Sequence, residues 1–223
     1  MLRKTSLAAG IAAFATVALA SGPLMADTVD YTAMTPAELA EYLVFETNSY
    51  NFDAEAQEGG SARQRMEQDE MQATCSVVGG GKPDAATLAA LSAAARESIS
   101  YPEGGITLGD WEKGRVLAWS GFGYRLAGAS DDDHSRREPG ALCYNCHQLA
   151  TDRTGGSVAP VLTGYGKTRG TSEAILRFAY EIIYNPHAYF PCTHMPRFGS
   201  ALTHDQILDV MAYLFDPESP VNE

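Results

Sequence analysis

The chain has little positive charge, and this shortage excludes one class of function. Only 16 Lys and Arg residues stand against 28 Asp and Glu residues, which gives a formal net charge of −12. So acidic a protein is a poor binder of nucleic acid, because phosphates attract basic surfaces. The chain also has no internal repeat and no alternating polar and apolar stretch long enough to predict a sheet. A mainly α-helical protein is therefore expected.

Long apolar runs are also scarce, and the only one lies at the N-terminus. Residues 1–26 have two basic residues near their start, Arg3 and Lys4. An apolar run follows, and the segment ends in small residues at Ala26. This pattern predicts a secretory signal peptide, since the run is too short and too rich in Ala and Gly to span a membrane well. We expect cleavage after Ala26, with Ala20 as the competing site and a retained anchor as the alternative. Cleavage would leave a periplasmic chain, free of the bilayer, with a formal net charge of −14.

Cysteine is limited to four residues, and two of them stand in the sequence CYNCH. Cys143 and Cys146 are separated by two residues, and His147 follows directly. This spacing is the attachment pattern for a covalently bound haem, in which the thiols join the porphyrin and the imidazole reaches the iron. A zinc site would need a second cluster of ligands, and a thioredoxin-like redox pair would need a βαβ setting. The predicted export favours the haem.

A six-coordinate haem needs a second axial ligand from a distant segment, and Met195 is the best candidate. Pro196 follows Met195 and favours an extended backbone there, which suits a loop that holds a thioether over a haem face. His194 is the nearest competitor. The weaker alternatives are His134, His187, His204, Met34, Met66, Met71 and Met211. Of these, Met211 is expected in the core, because it lies on the apolar face of a helix.

Capping residues and apolar spacing predict five helices. Thr35 and Thr203 each precede a helix and are followed three residues later by Glu38 and Gln206, the spacing of a capping box. Asp84 and Asp110 are further helix starts. A fifth helix is expected in TSEAILRFAYEIIY, residues 171–184, because its apolar residues recur at helical spacing.

The other two cysteines, Cys75 and Cys192, stand outside the haem motif. In an oxidising compartment such a pair most simply forms a disulfide. This disulfide would tie an N-terminal segment to the loop of Met195. A free, reactive Cys192 is the alternative.

The order of motifs resembles a class I cytochrome c. It runs from Gly-Asp-x-x-Lys-Gly at residues 109–114 through CYNCH, Pro-x-Leu at residues 160–162 and Met-Pro to AYL in the last helix. The block FPCTHMPRFG, residues 190–199, is more specific and is similar to the SoxX family, the monohaem cytochromes of the bacterial sulfur-oxidation system. The segments beginning at Cys75 and Tyr101 share this likeness. We therefore expect a signal peptide at 1–26, a helical extension at 27–105 and a class I cytochrome c domain at 106–223.

The resemblance implies a site and a function. It assigns one haem c to Cys143 and Cys146, with His147 and Met195 as axial ligands. It also implies that Pro160 and Leu162 belong to a loop on the proximal side, where a backbone carbonyl can hold the His147 ring. Gly114 and Tyr213 become candidates for a close helix crossing. The partner would be a SoxA-type cytochrome. The resulting SoxAX complex, an L-cysteine S-thiosulfotransferase, joins thiosulfate to a cysteine of the SoxYZ carrier and passes electrons to cytochrome c. A free-standing periplasmic electron carrier is the alternative.

Overall fold

The computed structural model describes residues 29–47, 49–57, 59–76, 81, 83–123 and 137–223. The predicted signal peptide and His134 lie outside these residues. The regular secondary structure of the described residues is helical. Their β-structure is confined to one isolated bridge between Glu55 and Ser61. The α-helices are α1 (Pro36–Glu41), α2 (Ala62–Met66), α3 (Glu70–Cys75), α4 (Ala85–Glu97), α5 (Trp111–Trp119), α6 (Tyr165–Arg169), α7 (Glu173–Tyr184) and α8 (His204–Phe215). The predicted mainly α fold is confirmed.

The chain divides into two compact units, residues 1–49 and residues 50–223. The described part of the first unit is small. In it, α1 begins with the predicted capping box of Thr35 and Glu38 and continues as a π-helix over Tyr42–Glu46. Across the described ranges, no helix is long and apolar enough to cross a membrane.

The predicted helix starts in the second unit are confirmed. Asp84 accepts hydrogen bonds from the first backbone N–H groups of α4, and Asp110 does the same for α5. Thr203 and Gln206 form both halves of a capping box at α8. Each side chain satisfies N–H groups that have no partner inside the helix, and this fixes where the helix begins.

Helices α5 and α8 cross at Gly114 and form the centre of the core. Gly114 is buried, and a Cβ at this position would collide with the carbonyl group of Asp209. At the end of α5, the Trp119 indole N–H donates to the Tyr213 hydroxyl at 2.7 Å. Met211 is fully buried in α8, so the prediction that it is a core residue is confirmed. The close helix crossing predicted for Gly114 and Tyr213 is likewise confirmed.

Helices α2 and α3 were not predicted from the sequence. Each is one to two turns long, too short for an apolar period to emerge from a polar stretch. Their capping boxes, Ser61 with Gln64 and Asp69 with Gln72, were the available signal. Met71, one of the weaker ligand alternatives, is instead buried in the core.

Residues 50–105 belong to the same compact unit as the cytochrome segment. The Arg96 guanidinium at the end of α4 donates to the Ala188 carbonyl at 2.6 Å. The buried amide of Asn185 donates to the Ser98 hydroxyl at 3.0 Å. The Tyr180 hydroxyl donates to the Ser100 carbonyl at 2.9 Å. The division between extension and cytochrome domain at residue 105 stays a prediction.

A buried carboxylate reinforces this packing. Glu181 on α7 is 3 % exposed and accepts hydrogen bonds from Tyr101 at 2.6 Å, from Arg177 at 2.8 Å and from Tyr189. Burial alone would raise the pKa of Glu181, but these three donors favour the charged form and lower its pKa overall. The group therefore stays ionised, and it links the extension to α7 through Tyr101.

Candidate functional site

The CYNCH segment follows α5 and is attached to its C-terminal end. Ala141 N–H donates to the Leu117 carbonyl at 2.8 Å, and Leu142 N–H donates to the Ser120 carbonyl at 3.2 Å. Leu142 has a φ of 54°, in the left-handed region, which turns the chain into a 3₁₀ turn at Cys143–Asn145. The backbone of His147 closes the turn by donating to the Cys143 carbonyl at 3.0 Å. Both cysteines and the histidine are thereby gathered on one turn.

The two cysteines of this turn are free thiols and half-buried. Burial raises the pKa of the Cys143 thiol to about 12, so it is fully protonated near neutral pH. A cysteine that reacts in redox chemistry or binds a metal does so as the thiolate, so the pKa of its thiol is normally lowered. No group of three or more His, Cys, Asp or Glu residues within the described ranges could hold a metal ion. Neither the thioredoxin-like nor the zinc alternative gains support.

The ring of His147 is held by a backbone carbonyl. Its Nδ1 lies 2.7 Å from the Pro160 oxygen, and because a carbonyl only accepts, Nδ1 carries the proton and donates. This bond fixes the tautomer and leaves Nε2 with a lone pair for a metal. A backbone carbonyl of the loop with Pro160 and Leu162 was expected to hold the ring, and the structure shows that it is the carbonyl of Pro160.

The loop that supplies Pro160 is fastened to the CYNCH turn by a residue that sequence reasoning missed. The Gln148 side chain donates to the Arg153 carbonyl at 2.6 Å and accepts from Gly155 N–H at 2.6 Å. Backbone bonds add to it, with Gly156 N–H donating to the Tyr144 carbonyl at 2.7 Å. The position of Gln148 directly after His147 was the one available signal. An amide with both a donor and an acceptor can hold a loop at two points.

Met195 lies in the loop that follows Cys192. It is half-buried and packs against the hydrophobic core, as do Leu162 and Cys143. Its backbone N–H donates to the Thr193 hydroxyl at 3.3 Å. His194, the competing ligand, is exposed. Of two further alternatives, His187 is buried in the turn Pro186–Ala188, and His204 Nδ1 lies 2.6 Å from the Tyr180 hydroxyl.

The predicted disulfide is confirmed. Cys75, the last residue of α3, is bonded to Cys192, with their Cα atoms 5.2 Å apart. Cys192 has a φ of 61°, so the bond forms where the loop backbone reverses. Near it, the Arg197 guanidinium forms an ion pair with Asp69. The segment that carries Met195 is therefore fixed to the extension on both sides of the methionine.

The donor set fits a covalently attached haem. Two free thiols lie on one turn, an imidazole is oriented with Nε2 available, and a half-buried thioether packs against the same core. These are the groups that haem attachment and His/Met ligation require.

Comparisons with known proteins agree with this arrangement. Residues 140–216 match the family described as "Cytochrome c". These residues include the CYNCH turn, the Pro160 loop, Met195 and all of α8. The chain is also 36 % identical over 160 residues to a protein of Aquifex aeolicus (strain VF5) named "Uncharacterized lipoprotein", a match that covers 70 % of this chain and 73 % of that protein.

Proposed function

The chain is a c-type cytochrome that carries covalently attached haem c, and on this premise we propose that it is the electron-transfer subunit of a periplasmic SoxAX-type complex. Haem c, when bound, supplies the reversible one-electron chemistry. In the proposal, Cys143 and Cys146 hold the haem as thioethers, His147 Nε2 is the proximal ligand and Met195 the distal one. Pro160 keeps the imidazole oriented. The thioether of Met195 favours the reduced iron and raises the reduction potential.

The observation that carries the proposal is the link between the two segments that most resemble the SoxX family. The first begins at Cys75 and the second is FPCTHMPRFG, and the disulfide from Cys75 to Cys192 joins them across 117 residues of sequence. The ion pair between Asp69 and Arg197 lies in the same region. A simple electron shuttle needs no such extension at its ligand loop, whereas a subunit with a dedicated partner has a use for the added surface.

The reaction of the complex then divides between its subunits. A sulfur–sulfur bond forms between thiosulfate and a SoxYZ cysteine, the thiol loses its proton, and two electrons are released. We place this bond formation on the SoxA-type partner. The present chain accepts the electrons one at a time and passes them to cytochrome c. The half-buried thioether of Met195 suits a relay rather than a nucleophile.

A coupling assay tests this function. Purified SoxA-type cytochrome, SoxYZ, thiosulfate and oxidised cytochrome c are mixed with and without this protein. We expect reduction of the acceptor only in the complete mixture, and a heterodimer in size-exclusion chromatography. Reduction that is equally fast without this chain would contradict the relay role.

The partner surface can be tested with matched variants. Val158 and Val161 flank Pro160 and are 80 % and 65 % exposed, so they offer an apolar patch beside the His147 loop. We expect Val161→Asp to weaken the heterodimer roughly tenfold or more, as loss of a central interface residue does. Val116 on α5 is also 65 % exposed, and Val116→Asp is the control. Unchanged affinity in Val161→Asp would place the interface elsewhere, and equal weakening by both variants would contradict a specific role of this patch.

A free-standing periplasmic electron carrier is the second candidate. One observation supports this second function: residues 50–105 pack into the same compact unit as the cytochrome segment. In a free-standing carrier, the extension would have the single role of covering the haem domain. A protein that remains monomeric in the presence of the SoxA-type cytochrome, yet reduces a soluble acceptor, would favour this function.

A further inference from the structure

A cavity of about 800 Å³ opens beside Met195, and the proposed electron-transfer function does not use it. The extension forms one wall, with Arg65 and residues of α3. The loop from Cys192 to Ser200 forms another. None of the three residues of the haem-attachment turn, Cys143, Cys146 and His147, lines it. The cavity therefore lies apart from the CYNCH turn, on the extension side of the ligand loop.

The lining of this cavity includes basic side chains, although the chain as a whole is acidic. Its ionisable lining side chains include Arg65, Arg197, His187 and His194, and no Asp or Glu of the described residues lines it. The whole sequence has 28 acidic residues against 16 Lys and Arg. Asp69 offsets part of the charge of Arg197, so the attraction for an anion comes from the charge of Arg65 and from the Arg197 N–H groups that the ion pair leaves unused.

Arg197 is held in position rather than left to swing in solvent. Asp69 pairs with the Nη1 group of Arg197, while its other carboxylate oxygen accepts from the Gln72 backbone N–H at 2.8 Å. The ion pair uses one end of the guanidinium, and a guanidinium carries five N–H donors. A fixed fork of donors of this kind suits the oxygen atoms of a tetrahedral anion.

His187 brings a buried ring nitrogen without a hydrogen-bond partner to the same cavity. It is 8 % exposed, it lines the cavity, and its Nδ1 has no hydrogen-bond partner among the residues that the structure describes. Burial lowers the pKa of His187, the charge of Arg197 lowers it further, and Asp69 opposes both. The ring is therefore neutral near pH 7 and carries one N–H, which donates into the cavity in the tautomer with the proton on Nδ1. A buried nitrogen without a partner indicates a bound water or ligand that completes it.

We propose that this cavity binds a small tetrahedral oxyanion, of the sulfate, thiosulfate or phosphate class, between Arg197, Arg65 and His187. The site does not depend on the identity of the redox partner. Because Met195 lines the same cavity, the anion also lies near the proposed distal ligand. A negative charge there stabilises the oxidised iron more than the reduced iron. By linkage, the oxidised protein binds the anion more tightly and the bound anion lowers the reduction potential.

Isothermal titration calorimetry on the oxidised, haem-loaded protein tests the site. Sulfate, phosphate and thiosulfate are titrated separately at constant ionic strength maintained with chloride, and haem absorbance reports the oxidation state throughout. We expect saturable binding with one anion per chain. The relative affinities of sulfate, phosphate and thiosulfate identify which of these anions the site prefers.

Three variants separate a specific site from general charge attraction. We expect Arg197→Gln to weaken binding roughly tenfold or more, since it removes a charge-assisted donor. Arg65→Gln should weaken it roughly threefold or more, since it removes a positive charge from the cavity wall. Arg63 lies on the same short helix as Arg65, is exposed and does not line the cavity, so Arg63→Gln is the matched control. It should bind within about twofold of the wild-type protein, because screened surface charge contributes little.

The reduction potential is a second readout, and it distinguishes a specific loss of anion binding from a loss caused by misfolding. Saturating sulfate should lower the reduction potential of the wild-type protein and of Arg63→Gln. It should not shift the potential of Arg197→Gln from the value that this variant has without sulfate. Absence of saturable binding in the wild-type protein would overturn the proposal. So would equal weakening by all three variants, which would mean attraction by net charge alone.

Discussion

At the residue scale, the assignment of the distal ligand depends on two neighbours with different surroundings. Met195 is half-buried against the core, and His194 is exposed. A ligand must be held over the iron, and packing holds Met195. The sequence already favours the methionine because of Pro196, but burial is a property of the folded loop.

We expect Met195→His to keep a six-coordinate haem with a lower reduction potential, because imidazole donates more to ferric iron than a thioether does. Met195→Ala should lose the weak long-wavelength absorption band of methionine-ligated ferric haem. His194→Ala is the control and should keep both the band and the potential. Redox titration and absorption spectroscopy measure these properties. A band that persists in Met195→Ala would disprove the assignment.

Glu181 permits a prediction on acid stability. Its pKa lies below the ordinary value of 4.5 in the folded protein, so in acid the unfolded chain binds more protons and the free energy of unfolding falls as the pH decreases. At pH 7, Glu181→Gln should lower that free energy by about 1–3 kcal/mol, because it weakens charge-assisted hydrogen bonds.

The cost of Glu181→Gln should shrink as the pH falls below 4.5, since this carboxyl group is protonated first in the unfolded chain and, at lower pH, in the folded protein. Urea unfolding at a series of pH values measures the difference. Glu173→Gln, an exposed position at the start of α7, is the control and should change little. A cost that is independent of pH would show that the carboxylate charge is not the stabilising feature.

At the scale of elements, the crossing of α5 and α8 depends on the absence of a side chain at Gly114. We expect Gly114→Ala to lower the free energy of unfolding by about 1–3 kcal/mol, because the added methyl group must push the Asp209 backbone away. Gly104 has open space around it, so Gly104→Ala is the control. Chemical denaturation of both variants tests this. Stability unchanged in Gly114→Ala would mean that the helices can separate without cost.

At the scale of the whole molecule, the disulfide joins segments 117 residues apart. Intact mass after alkylation under non-reducing conditions should find no free thiol at Cys75 or Cys192 in the native protein. The double variant Cys75→Ser, Cys192→Ser should lose about 2–5 kcal/mol of unfolding free energy, chiefly because its unfolded chain is less constrained. Cys75→Ser alone is a useful comparison, since it also exposes Cys192 as a free thiol. Two alkylatable thiols in the native wild-type protein would contradict the bond.

Much of the fold could be predicted from the sequence because its signals are local. A capping side chain acts within three residues of the helix start, so Asp84, Asp110 and Thr203 are enough to indicate α4, α5 and α8. The same holds for CYNCH, whose chemistry depends on adjacent residues. Helices α2, α3 and α6 escaped prediction because they are too short to display a period.

The sequence by itself determined the haem motif, the main helices and the chemistry of the Cys75 and Cys192 pair, since these depend on neighbouring residues or on residue type. Only the tertiary structure decided that the Pro160 carbonyl holds His147, that Met71 is core, and that Gln148 fastens the loop. It also decided that basic side chains from residues 65, 187 and 197 meet in one cavity. The physical reason is that such contacts join residues far apart along the chain, and their distances are set by how helices pack rather than by spacing in the sequence.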